Sequence, residues 1–246
     1  MEDRAFTILY ETQDKFWWNL GISRIVSRTI ARFRPGNNST ILDAGCGVGG
    51  LFATLAKHGT LYGIDASLVA LSYATKRREP RQVFCGSVEH LPFSDHFFDV
   101  VVCADVLYHK QVNDRTAISE FRRVLKQNGC VIIKEISYEW LKSTHDNLMH
   151  GRHRYTRREL VGLLKEAGFT IEQSSYCGLF IFPVVLLVRL LEKIGVNISH
   201  DSAHTNTPFV STLFKWSLYL EAYLLCYVNL PFGLGIIVVA RPSSLR

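Results

Sequence analysis

Apolar positions along the chain alternate between two patterns, a three-to-four-residue recurrence and short unbroken runs. Residues 16–33 (FWWNLGISRIVSRTIARF) set Trp17, Leu20, Ile25 and Ile30 among the apolar positions of an amphipathic helix, and RPGNNS breaks it. Residues 40–44 read as a short buried strand, followed by a glycine-rich turn and a helix over 51–58. A second strand covers 60–65, and Ser67 is placed to cap a helix that starts at Leu68 and runs to the neighbourhood of Arg78. Residues 82–85 form a third strand. The run HFFDVVVCAD holds a fourth, whose three valines suit burial on both faces. A helix over 114–126 is stopped by QNG, and CVIIKEIS supplies a fifth strand. The next helix spans 156–167, with Thr156 and Glu159 spaced for a capping box and Gly168 as its end. Strand–helix alternation from 40 to 168 has the lengths of βαβ crossovers and predicts an α/β fold with a parallel, doubly wound sheet. Ligands on such sheets lie at the carboxyl ends of the strands near the switch point, which directs attention to the end of the first strand.

Beyond Gly168 the pattern changes. Residues 169–176 are strand-like, and so is LPFGLGIIVVARP near the C-terminus. The intervening 178–230 is largely apolar with helical periodicity and reads as a cap over one end of the sheet; the polar VNISHDSAHTNTP inside it reads as a mobile loop. The organisation expected is one domain: a helical N-terminal cap (1–36), a core (37–177), a helical insertion (178–230) and a last strand (231–246). The apolar GLFIFPVVLLV contains Pro183, stops at Arg189 and is too short to span a bilayer, although insertion into one leaflet stays open. The opening MEDRAFTILYETQDK has early acids and no apolar core of a signal peptide.

Composition narrows the classes. With 246 residues, 48% hydrophobic and 20% charged, the chain suits one sizeable core plus an insertion. A formal net charge of +6 suits an anionic partner or is only a solvated basic face. Six cysteines, none in a C-x-x-C pair and most inside apolar runs, fit reduced thiols of a cytoplasmic protein rather than a disulfide or zinc scaffold.

The candidate chemistry starts at ILDAGCGVGG (41–50). Gly45-x-Gly47-x-x-Gly50 fits a dinucleotide fingerprint, while Gly45-x-Gly47-x-Gly49 behind Asp43 fits an S-adenosylmethionine loop. Asp65, at the end of the second strand, could accept ribose hydroxyls of either ligand. Asp43 tips the balance. A carboxylate there suits the cationic amino group of a methionine moiety and would repel a pyrophosphate, at a cost of roughly several kcal/mol in a partly desolvated cleft.

The ordered train ILDAGCGVGG, YGIDAS, LPFSDHFFDVVVCADVLYH and EFRRVLKQNGCVII resembles the successive motifs of class I S-adenosylmethionine-dependent methyltransferases, in the type 11 or UbiE-like subgroup, over residues 40–137. DKFWWNLGISRIV and HDNLMHGRHRYTRRELVGLLKEAGF resemble a branch of that group found among enzymes of glycan, lipid and secondary-metabolite assembly. The resemblance implies a Rossmann-like sheet of seven strands in the order 3-2-1-4-5-7-6 with the last antiparallel. Residues 169–176 and 234–241 would be strands six and seven, with the insertion near the substrate mouth. It implies that Asp43, Gly45 and Gly47, with Cys46 between them, hold the methionine part of S-adenosyl-L-methionine and that Gly49 lines the turn. Asp65 would take the ribose, Ala66 would flank the adenine, and Ser87 and Val88 fall at the adenine ring. The family usually carries an acid at the position of Ser87, and Glu89 stands close enough to compensate. Asp105 would face the sulfonium.

Acceptor chemistry is carried by two clusters. Tyr108 and His109 follow the fourth strand, where the family often has an acid and a histidine; His109 is a candidate general base or a loop-stabilising residue. In STHDNLMHGRHRYT, His145 beside Asp146 could form a base with an orienting partner. Arg152 and Arg154 with Tyr155 could clamp an anion or form a solvated basic loop, and Tyr155 is itself a candidate catalytic group. No metal is expected, because the histidine spacing gives no tetrahedral set. Trp17 and Trp18 join Phe180, Phe182, Phe214 and Trp216 as candidates for an apolar acceptor pocket or cap. The function expected is methyl transfer to a small, largely apolar or lipid-like acceptor, on oxygen first and on nitrogen or carbon next. A non-catalytic cofactor-binding partner, an NAD-linked oxidoreductase and an RNA methyltransferase are the alternatives. No nucleic-acid module is seen, and peripheral contact with a membrane is left open.

Overall fold

The structure, a computed structural model, describes residues 3–34, 38–80, 82–142, 151–193 and 208–243. Seven strands form one sheet in the order β3-β2-β1-β4-β5-β7-β6. They are β1 (Ser39–Ala44), β2 (Gly59–Asp65), β3 (Gln82–Cys85), β4 (Phe98–Ala104), β5 (Leu125–Ile136), β6 (Phe169–Cys177) and β7 (Gly235–Pro242). The first five run parallel, and β7 lies antiparallel between β5 and β6. The described helices are α1 (Asp3–Thr12), α2 (Trp17–Phe33), α3 (Phe52–Leu55), α4 (Leu68–Ala74), α5 (Asp114–Val124), α6 (Arg157–Glu166), α7 (Phe182–Lys193) and α8 (Pro208–Leu224).

Strand alternation builds two cores. Leu42, Val101, Val131, Ile133 and Val238 face a layer holding Ile118 and Phe121 of α5 and Leu160 and Leu164 of α6. Ile41, Val100, Ile132 and Val239 face the other way, toward Ile25 and Ile30 of α2 and Leu218 and Ala222 of α8. Helices α2 and α8 approach closely at Gly21, where an added Cβ would lie 2.2 Å from Leu218 Cδ1. Thr156 and Glu159 make the capping box that their spacing predicts.

Three expectations are revised. Helix α5 ends at Val124, and Leu125 already pairs with Phe98, so QNG lies inside β5; the pairing shifts register between Phe98 and Val100. Gly129 permits this, because a Cβ there would stand 2.9 Å from Lys126 O and 3.0 Å from Asp99 O. Helix α4 stops at Ala74, and Arg77 beyond it turns back so that its Nε donates to Val48 O at 2.8 Å. Within the expected helical cap the N-terminal residues form a separate helix, α1, ahead of α2, for which no bounds are predicted. It docks on α4 through Thr7 Oγ1 and Tyr73 OH at 2.7 Å and through the Tyr10 and Tyr73 rings. The expected polar loop in the insertion lies outside the described residues apart from Pro208, which opens α8, and so do His145 and Asp146.

Candidate active site

The site is assembled at the carboxyl ends of β1, β2, β4 and β5. After β1 the chain turns sharply, with Gly45 N and Cys46 N both donating to Ile64 O at 2.8 and 2.9 Å. Gly45 has φ +79°, and a Cβ there would come within 2.4 Å of Val106 Cγ2, so backbone conformation and packing both require glycine. Gly47 differs: φ is +54°, but nothing lies within 4 Å of its Cβ position. Its approach is open where Gly45 is packed. Asp65, ending β2, stiffens the turn by accepting from Gly47 N and Ser67 N, each at 2.8 Å.

Asp43, next to last in β1, has only 2% of its surface exposed. Burial first, and the neighbouring Asp65 second, push its carboxyl up to about 7. The same two causes, with Asp43 itself, raise the Cys46 thiol, which is therefore held neutral. Among the described residues no cationic side chain pairs with Asp43. Two acidic groups beside an open glycine turn are electrostatically unfinished, and a cation of the ligand would complete them.

Asp105 follows β4 at φ +56°. Its backbone N–H donates to Lys134 O at 2.8 Å, and its carboxylate is gripped by Lys134 Nζ at 2.6 and 2.8 Å. Lys134 is 1% exposed in its side chain and lies 5.2 Å from the Trp18 ring centre. Alternation along β5 sends the next residue to the opposite face. There Glu135 accepts from Val106 N (3.0 Å) and Leu107 N (2.8 Å), while its Oε2 is buried with no hydrogen bond. Burial, then Asp105, raise this carboxyl, and its two N–H donors and Lys134 oppose the rise. Consecutive residues of one strand thus pin the 105–107 loop from both sides of the sheet. Neither was singled out from the sequence, although a Lys-Glu pair at the end of an apolar strand was the available signal.

On the adenine side, Val88 is buried and Ala66 exposed. Ser87 Oγ accepts from Glu89 N at 3.1 Å, so the hydroxyl closes its own turn, and Glu89 Oε1 accepts from Asn113 N at 3.2 Å. His109 is half-buried, with the Tyr108 ring centre 4.2 Å from its own, and it bridges Gly151 in antiparallel fashion. Arg152 N donates to Tyr108 O at 2.7 Å, which holds the two acceptor-side segments together.

Four expected roles change here. Tyr155 is fully buried, its hydroxyl within reach of Leu107 O (3.1 Å) and Asp114 Oδ2 (2.9 Å), and burial raises it far beyond proton transfer near neutrality. It locks a loop and is not positioned as a catalytic group. Arg152 is neutralised by Asp114 at 2.7 Å, so it is not a free anion clamp. Arg154 donates its backbone N–H to Glu139 and its guanidinium to Ser137 O at 3.4 Å. Trp17 is a core residue, T-shaped against Phe214 at 5.0 Å, whereas Trp18 does reach the site. Past β5, the expected Phe182 is joined by aromatic residues that the sequence did not single out. Tyr138 stacks on Tyr176 at 5.2 Å and meets Phe182 at 5.9 Å, and Trp140 is half-exposed beside them. Among the described residues no three metal-ligating side chains gather.

A family model described as a methyltransferase domain matches residues 42–133, the stretch that carries the ends of β1, β2 and β4 and stops just before Lys134 and Glu135 of β5. Over that stretch the chain is similar to class I S-adenosylmethionine-dependent methyltransferases of UbiE-like type. It is 34% identical over 126 residues to the ubiquinone/menaquinone biosynthesis C-methyltransferase UbiE of Burkholderia mallei, covering 47% of this chain and 51% of that one. It is 32% identical over 163 residues to the malonyl-[acyl-carrier protein] O-methyltransferase of Herminiimonas arsenicoxydans, covering 61% and 60%. The matches thus span between about half and three fifths of these relatives. The fold also matches a chain from the complex of the Haloferax volcanii Trm112 methyltransferase activator with a methyltransferase. That match has a TM-score of 0.65 and 17% identity, and it covers 99% of this chain and 96% of that one.

Proposed function

We propose that this chain methylates a small, largely apolar or lipid-like acceptor, with oxygen favoured as the atom methylated. The observation that carries the reading is the pair of carboxylates, Asp43 and Asp65, at a glycine turn whose open side is Gly47. S-adenosylmethionine supplies the electrophile, a methyl group on a cationic sulfur. Asp43 would receive its ammonium group, with Gly45, Cys46, Gly47 and Gly49 shaping the turn around the methionine part. Asp65, whose carboxylate already orders the loop, would accept the ribose hydroxyls. Ala66, Val88 and Glu89 would border the adenine, with Ser87 contributing through the turn it closes. Asp105, charge-balanced by Lys134, would present a fixed negative edge toward the sulfonium.

The protein's part in such a displacement is orientation, exclusion of water and removal of a proton where the acceptor has one. Trp18 and the aromatic group around Tyr138 and Phe182 would wall an apolar acceptor. His109, on the loop after β4, is the titratable side chain assigned to proton removal. The relatives include a C- and an O-methyltransferase, so the atom methylated is the finer part of the proposal. Calorimetric titration with S-adenosylmethionine, its demethylated product and NADH tests the core of it. Micromolar binding of the first two without the third is expected, and binding of NADH alone would overturn it.

A further inference from the structure

The outward face of α8 is apolar along its length. Phe209, Leu213, Trp216, Leu220 and Tyr223 are all exposed, Phe209 to 79% and Trp216 to 61%. Their spacings of four, three, four and three residues hold them within roughly 80° of arc at 3.6 residues per turn. Exposed Tyr227 carries the line past the helix end. The opposite face, with Leu218 and Ala222, is the one packed on α2. Exposed Val184, Leu187 and Leu190 of α7 add to the apolar surface. A patch so continuous exceeds the scattered apolar residues of an ordinary surface.

Helix α2 runs beside the stripe and carries Arg24, Arg28 and Arg32 at four-residue intervals. Arg24 lies 5.8 Å from the Tyr219 ring centre, Arg28 5.4 Å from that of Tyr223, and Arg32 donates to Leu225 O at 3.0 Å. The ladder is therefore tied along α8 itself. Acids are missing from both helices' surfaces. Helix α2 has none, and the only acid of α8, Glu221, is buried, accepting from Gly178 N and Phe180 N. Glu192 of α7 is engaged by Arg189 at 2.7 Å.

We propose that α8, with the arginine edge of α2, seats on an anionic phospholipid surface. The helix lies in the interfacial plane, its aromatic stripe among the acyl-chain boundary and its arginines at the phosphates. No described helix is long and apolar enough to cross a membrane, so this is lying on, not spanning. A second copy is a poorer occupant, because among the described residues this face offers no unpaired carboxylate to receive another copy's arginines, whereas anionic headgroups supply the countercharge. The proposal is independent of the methyl acceptor.

The test is sedimentation of the purified chain with vesicles of phosphatidylcholine alone and of phosphatidylcholine mixed with phosphatidylglycerol. Binding to the mixed vesicles, weakened by added salt, is expected. Arg24→Gln with Arg28→Gln should lower that partition roughly thirty-fold, at about 1 kcal/mol per charge. In vesicles with brominated acyl chains the tryptophan fluorescence should be quenched, and Trp216→Phe should lose that quenching while still sedimenting. Equal binding to both vesicles, or quenching unchanged in Trp216→Phe, would overturn the assignment. So would a chain that ignores vesicles and forms a dimer dissociated by Leu213→Asp with Leu220→Asp, since that result gives the face to a second copy.

Discussion

Asp43 makes the strongest residue-level claim, because its titration is coupled to the ligand it is proposed to bind. Its carboxyl is pushed up to about 7 by burial and Asp65, so below that pH the unliganded site is protonated. A cationic ligand requires the ionised form. Affinity for S-adenosylmethionine should therefore rise about tenfold per pH unit up to 7 and level off above it. Asp43→Asn should flatten that profile and weaken binding by about 1.5–3 kcal/mol, the usual worth of a charge-assisted hydrogen bond; calorimetry from pH 6 to 8 reads both. Glu135 makes a complementary prediction in stability. Its folded-state pKa is raised, so its stabilising contribution is complete below its unfolded value and is lost as pH rises through the folded one. Glu135→Ala strands Val106 N–H and Leu107 N–H and should cost about 2–6 kcal/mol at pH 5, at about 1–3 kcal/mol per stranded group, and less at pH 9. Glu135→Gln keeps an acceptor and should overtake the native chain at the alkaline end, as urea midpoints at the two pH values would show. The two residues differ in how legible they were. Asp43 sits in a local motif whose spacing survives in one dimension. Glu135 and Lys134 gain meaning only from which face of β5 each one takes and from a loop 28–29 residues earlier in the chain.

Elements whose signals are local were read correctly: the capping box of α6, the valine run of β4, the Ser67 cap of α4. Those decided by tertiary partners were not. No sequence rule places α1 against α4, and the Gln13 side chain against Gly50 of the cofactor turn is a contact between segments that only folding brings together. The same holds for α2 and α8, which gives a prediction at this scale. Gly21→Ala puts a methyl 2.2 Å from Leu218 Cδ1, and overpacking of that kind costs about 1–3 kcal/mol, in part offset by alanine's better helix propensity. Leu218→Ala opens a cavity and should cost about 2–5 kcal/mol. In the double variant the new methyl enters the space the leucine leaves. Its cost should then fall below the sum of the singles, a coupling that urea unfolding of the four chains measures directly. Strict additivity would mean that the helices adjust by sliding rather than by packing at this point.

Charge on the whole molecule is unevenly spent. The chain carries a formal +6, and part of that excess is the acid-free arginine edge of α2. At the other extreme, Asp43, Asp65, Asp105 and Glu135 crowd the strand ends, with Lys134 as the buried cation set among them in the described residues. A site of this kind holds unrelieved repulsion until a cation enters, so ligand binding should be felt as global stability. For any ligand that binds only the folded chain, a concentration one hundred times its dissociation constant adds about 2.7 kcal/mol. For a domain of this size 1 kcal/mol moves the melting temperature by about 2–4 °C, giving a rise of roughly 5–11 °C with S-adenosylmethionine. The rise at fixed concentration should be larger at pH 7.5 than at pH 6, because proton release from Asp43 then no longer competes with the ligand. Asp43→Asn should remove that difference. Asp65→Ala should abolish the rise and also lower the starting melting temperature, since Asp65 anchors Gly47 N–H and Ser67 N–H before any ligand arrives. Differential scanning fluorimetry of the three chains at the two pH values separates the electrostatic role of Asp43 from the structural role of Asp65. A pH-independent shift in the native chain would show that the cation is met elsewhere than at Asp43.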